Sequence, residues 1–173
     1  DLEGQIIGGY DFVDNDEIPE DTNGHGTQVA GIIASNGNLK GIAPNSKILM
    51  YKVSEDGESV PSHLIIKAIE KSIEDNADII NISLGINQTN TKIDQVVNKA
   101  VKNNIFVVTA AGNFGPELST IGSPGINPNA ITVGATFNNV TSSLVSTFEI
   151  EDKTFNVFPM VGTQALTEPI TSQ

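Results

Sequence analysis

Between residues 47 and 136 short apolar runs alternate with single amphipathic helical patterns, and that alternation most constrains the fold. "KILMYKV" (47–53) suits a buried strand. "SHLIIKAIEKSIEDN" (62–76) follows it, with Ile65, Ile69 and Ile73 recurring every four residues behind Pro61 and Ser62. "ADIINISLG" (77–85) reads as a strand closed by glycine. Residues 91–104 carry Ile93, Val96, Val97, Ala100 and Val101 on the stripe of an amphipathic helix. "NIFVVTAAGN" (104–113) and "AITVGAT" (130–136) are further strands. Strand–helix–strand order predicts an α/β fold of three layers, αβα, with a mainly parallel sheet covered on both faces.

The pattern fades after about Thr136, where Thr, Ser and Val dominate and helical periodicity stops. We expect one α/β domain over 1–140 and the start of a β-type module over 141–173, with short strands at 143–150 and 154–160. Residues 9–17, "GYDFVDNDE", read as a solvated loop.

Charge and composition exclude several functions. Nine lysines, no arginine and 21 acids give a net charge of −12, against both a nucleic-acid binder and a partner of anionic membrane. No apolar stretch approaches the roughly 20 residues of a membrane span. Without cysteine there is no disulfide, thiolate metal site or catalytic thiol. Eight acids in the first 21 residues raise the alternative of an acidic, cation-dependent structural piece, although no EF-hand loop is present.

In a parallel sheet, ligands gather beyond the carboxyl ends of the strands. Those ends carry "SEDGES" (54–59), "SLG" (83–85) and "AAGN" (110–113), small and polar with glycines that admit a close backbone. His25, between Gly24 and Gly26 at the head of an apolar helical run, could serve as a general base near neutral pH. Asn113, after Gly112, could donate its amide to a developing oxyanion. Ser83, Leu84 and Gly85, with Ile86, could offer an edge to an extended peptide. Each residue alone is equally a helix-start histidine, a turn asparagine or a strand end. His63 reads as a surface or capping residue.

Together the segments resemble the subtilisin-like serine peptidases, the subtilase family. "NGHGTQVAGIIAS" is similar to the family's histidine motif, "GIAPNSKILMYKV" to the strand that follows, and "ADIINISLG" to the wall of the primary specificity pocket. "VVTAAGNFG" resembles the segment of the oxyanion asparagine, and "SPGINPNAITVGAT" the strand after it. Five weak likenesses in family order over residues 1 to about 136 are specific together.

The resemblance implies a serine endopeptidase acting on protein or peptide substrates, with His25 as base and Asn113 in the oxyanion hole. Ser83, Leu84, Gly85 and Gly57 would bind substrate. It implies no cofactor for the chemistry. It makes Asp1 a candidate calcium ligand, although "SNGNLKGIAP" is shorter than the family's calcium loop. The family's aspartate lies on a strand upstream of a segment like 1–16, and its serine lies in Gly-Thr-Ser-x-Ala-x-Pro, which does not occur here. In "GTQALTEP" (162–169), Gln164 stands where a nucleophile would and cannot act as one. We therefore expect a piece of the catalytic domain, incomplete at both ends, inactive alone and exposing apolar surface. The remainder of its own chain would be its partner, and a non-catalytic peptide-binding module of the same descent is the alternative. Large secreted bacterial subtilases with a protease-associated insert would account for residues 141–173 and for a secreted or cell-surface location.

Overall fold

The computed structural model describes residues 1–57 and 59–136, together with the backbone of 146–150 and 153–157. The chain divides into two units, Asp1–Gly134 and Ala135–Gln173.

In the first unit the elements run β1 (Ile6–Asp11), α1 (His25–Ala34), β2 (Ile48–Lys52), α2 (Ser62–Glu74), β3 (Ile79–Ile82), α3 (Thr91–Lys102), β4 (Phe106–Ala110) and β5 (Ile131–Val133). Every strand pairing is parallel: β1 with β2, and β3 with β4 with β5. The expected parallel α/β architecture is present, but as two sheets rather than one. Among the described residues of the first unit, β4 alone has a ladder partner on both sides, so β2 and β3 each keep one unpaired edge.

Side-chain alternation explains the packing. Ile80 and Ile82 of β3 and Val107 of β4 point into a core with Ile65 and Ile69 of α2 and Ile93, Val96, Val97 and Ala100 of α3. Ile93, Val97 and Ala100 are fully buried, so the stripe read from the sequence is the packed face. Asn90 caps α3, accepting from the backbone N–H groups of Lys92 and Ile93 and so satisfying two donors that lack partners within the helix. The opposite residues of the strands, Ile79, Phe106, Ile131 and Val133, are exposed. The sequence predicts cover on both faces. In the structure α2 and α3 share one core, and no described element covers the outward residues.

Strand β1 corrects the reading of 9–17 as a solvated loop at residues 9–11, while 14–17 are exposed as expected. Gly9 lies so close to β2 that a Cβ there would stand 1.8 Å from the Met50 carbonyl oxygen. Asp11 ends the strand 1% exposed, accepts from the N–H groups of Val13 and Asp14, and is 3.0 Å from the Lys52 ammonium. Burial works against its charge. The N–H of Asp14 and the Lys52 contact outweigh it and hold the carboxyl below its usual range.

Helix α1 buries its small residues Ala30 and Ala34. Its last carbonyls are satisfied from outside the helix, by Ile42 N–H on Ile32 and Ala43 N–H on Ile33. In the second unit β6 (Ser146–Ile150) and β7 (Lys153–Val157) pair antiparallel, Phe148 opposite Phe155. The outer parts of the two expected strands, and Gln164, lie outside the described residues.

Candidate active site

His25 is the first residue of α1, and the loop before it is built by one carboxylate. Asp21 accepts from the backbone N–H groups of Asn23 (3.1 Å), Gly24 (2.7 Å) and Thr27 (2.7 Å), and from the Thr27 hydroxyl. Gly24 turns the chain at φ 97°, a left-handed conformation that glycine adopts without steric cost. The Thr27 hydroxyl, helped by the three backbone N–H groups and opposed by partial burial, lowers the Asp21 carboxyl to about 2. Its position before a helix N-terminus favours the charged form further.

Because the folded value lies below the ordinary 3.8, the stabilisation is fully present above that value and is lost as pH falls towards about 2. Asp21→Asn is therefore expected to lower the melting temperature at neutral pH, and the gap to wild type should close as pH falls from about 4 to about 2. A gap independent of pH would refute the charge-based role. Sequence reading passed over Asp21, although an acid and a threonine flanking a helix start are its visible signal.

The ring of His25 crosses to the end of β3, where Nε2 lies 3.1 Å from the Ser83 carbonyl oxygen. A carbonyl only accepts, so that nitrogen carries the proton in this contact. Ser83 is held in turn by Asn81, whose amide donates to Ser83 Oγ at 2.9 Å. Among the described residues, neither a carboxylate nor a serine hydroxyl is hydrogen-bonded to the imidazole.

The other expected residues distribute as follows. β3 and β4 run in parallel register, Ile82 beside Thr109, so Ser83–Gly85 and Ala110–Asn113 leave the sheet at one edge. Asn113 is exposed, and Gly112 before it has φ 93°. Leu84 packs half-buried against the core, and Gly85 is exposed. Ile86, the next residue of the expected peptide edge, is not open: its N–H donates to the Ser123 carbonyl at 3.0 Å, and Ser123 N–H donates to Gln88. The segment after β4 returns along this stretch and takes its hydrogen bonds. Gly57 lies in an exposed loop at φ 76°, against the side chain of Asn23. His63 is exposed on α2.

Asp1 stands apart, by the loop beyond the far end of α1, which at 1.5 Å per residue is ~15 Å long. Its carboxylate accepts from the N–H groups of Asn38 and Leu39, both at 3.1 Å. Those two bonds tie the start of the chain to the loop after α1, and among the described residues no group of three or more His, Cys, Asp or Glu could hold a metal.

A histidine at a helix start thus meets the end of β3, and the glycine–asparagine turn leaves the neighbouring strand β4 at the same end of the sheet. The model of the subtilase family matches residues 2–160 of this sequence. The chain belongs to the subtilase family. Among relatives of this subtilase chain, the minor extracellular protease Vpr of Bacillus subtilis (strain 168) is 40% identical over 139 residues, covering 74% of this chain and 17% of the relative. An intracellular serine protease of Paenibacillus polymyxa is 41% identical over 145 residues, 78% of this chain and 44% of the relative. The crystal structure of a cold-adapted subtilisin-like serine proteinase matches with a TM-score of 0.71 at 33% identity, covering 79% of this subtilase chain and 49% of that one. The chain thus spans less than half the length of each. The fold is subtilisin-like, and family members are serine proteases that act on protein and peptide substrates.

Proposed function

We propose that this chain is the base and oxyanion portion of a serine endopeptidase. His25 takes the proton of a serine hydroxyl as that oxygen attacks the peptide carbonyl, then returns it to the leaving amine. Asn113 donates to the oxyanion of the tetrahedral intermediate. An extended substrate pairs along Gly57 on one side and Ser83–Gly85 on the other. Serine and aspartate come from segments beyond these residues. The observation that carries the reading is the meeting of His25 with Ser83 at the edge that also bears Asn113.

The unpaired edges of β2, whose Tyr51 bonds Asp75 at the end of α2, and of β3, which packs on the same helix, support a place for the aspartate strand between the two sheets. A strand there would bring its acid towards Nδ1 of His25. The ring would then keep its proton on Nδ1, releasing Nε2 from Ser83 to accept from the serine. No metal or organic cofactor enters these steps. β6–β7 opens a β-type insert of protease-associated kind, and the protein is secreted. Similarity to an extracellular relative supports that location, while the Paenibacillus relative is intracellular by name.

The full-length protein, mixed with an activated peptide ester, is expected to release the leaving group in a stoichiometric burst as acyl-enzyme accumulates. Binding of the peptide without any turnover would instead favour a non-catalytic peptide-binding module. The 173-residue chain alone is expected to be silent. With Ile79, Phe106, Ile131 and Val133 exposed on one sheet face, it should also self-associate in sedimentation experiments. A sharp monomer at all concentrations would contradict that.

A further inference from the structure

The backbone of the general base and the substrate-binding loop are bridged directly by the side chain of Asn23. Its Oδ1 accepts from the His25 backbone N–H at 3.2 Å, and its Nδ2 donates to the Asp56 carbonyl at 2.9 Å. Thr22 adds a second link in parallel, its hydroxyl donating to the Glu55 carbonyl at 3.1 Å. Gly57 lies flat against this bridge. A Cβ there would come within 2.7 Å of Asn23 Cγ and Nδ2.

The loop on the far side of the bridge is closed on itself. Ser54 Oγ donates to the Ser59 carbonyl at 2.7 Å and accepts from Gly57 N–H at 2.9 Å. Asp56 accepts from Ser59 N–H at 2.9 Å. On the near side, Asp21 fixes the turn that leads to His25. Two closed loops that meet through this planar amide and the Thr22 hydroxyl move as a unit, because the amide cannot turn without giving up one of its bonds. Of the two links only the amide reaches the His25 N–H.

We propose that Asn23 is a positioning residue that transmits peptide pairing on the Gly57 loop to the placement of His25. It makes the turnover rate depend on how far the substrate extends. The inference rests on the peptidase reading and adds to it a reason why longer peptides turn over faster. Binding energy gained away from the cleaved bond holds the base in its working position.

Two substitutions separate this role from simple helix capping. At neutral pH aspartate accepts but does not donate, so Asn23→Asp can still cap the His25 N–H yet cannot hold Asp56. Asn23→Ala loses both bonds. In the full-length protein, kcat is measured for a short blocked ester and for a peptide long enough to reach Gly57. Both are read on the plateau of the pH profile, so that a shifted His25 titration is not mistaken for a lost bridge. Wild type should favour the long substrate, and both variants should lose about ten-fold of that long-to-short ratio.

A wild-type ratio in Asn23→Asp reduces Asn23 to a cap and overturns the proposal, as does a wild-type ratio in Asn23→Ala. Absence of any length dependence in wild type overturns it too. Turnover that does not need His25 overturns the peptidase reading, and the proposal with it. Should Asn23→Ala not fold, Asn23→Ser keeps a capping hydroxyl and is too short to bridge to Asp56, so the same ratio decides.

Discussion

Replacing His25 by alanine in the full-length protein is expected to lower kcat on a peptide amide by on the order of a millionfold, the size of loss that removing the base causes in subtilisin. His25 is exposed, and among the described residues its imidazole is hydrogen-bonded to the Ser83 carbonyl alone. Alanine is the best helix former and leaves the backbone of α1 intact. Stability and KM should therefore change little, so the loss falls on the chemical step. The size follows from the proposed role: without a base the serine stays a neutral alcohol, and the leaving amine has no proton donor. Assay of kcat and KM with a chromogenic peptide, beside a melting curve of the variant, checks this. A kcat within ten-fold of wild type would remove His25 from the mechanism.

Asn113→Ala should lower kcat by about 10²–10³-fold, a range the same enzyme class supplies for its oxyanion-hole asparagine, with KM nearly unchanged. The reason lies in when the contact forms. An amide aimed at the oxyanion is worth most once charge has developed, so its removal raises the barrier and spares the bound substrate. Gly112 at φ 93° turns the chain directly before Asn113 at the end of β4, on the edge shared with Ser83. The residue is exposed, which leaves no core packing to confuse the result. Wild-type kcat in this variant would refute the oxyanion assignment. A rise in KM alone would make Asn113 a substrate-binding residue.

How much could be read from the sequence depended on whether the cause was local. α3 was legible because its apolar stripe is also its buried face. The helix start at His25 and the turn at Gly112–Asn113 were legible as local structure because glycines beside a polar side chain mark a backbone left open at a strand or helix end. β1 was not. "IIGGYD" carries two glycines in place of alternating side chains, and it is a strand because β2 runs beside it. The burial of Asp11 likewise depends on Lys52, 41 positions away, and the loss of the Ile86 edge on Ser123. The parts played by Asp21 and Asn23 come from hydrogen bonds to backbone, which residue types alone do not reveal. The division of the sheet was hidden for the same reason: no local pattern says which strand edge lacks a partner.

The most direct test of the central claim, that these residues supply the base and oxyanion parts of a site completed by other segments, is labelling with a fluorophosphonate probe. The 173-residue chain, the full-length protein and its His25→Ala variant are each treated, and the adduct is mapped by peptide mass spectrometry. No adduct on the chain alone is expected, with one adduct on the full-length protein at a serine outside these residues and its loss in the variant. A stoichiometric adduct on a serine of the chain itself, or labelling of the full-length protein that does not need His25, would contradict it.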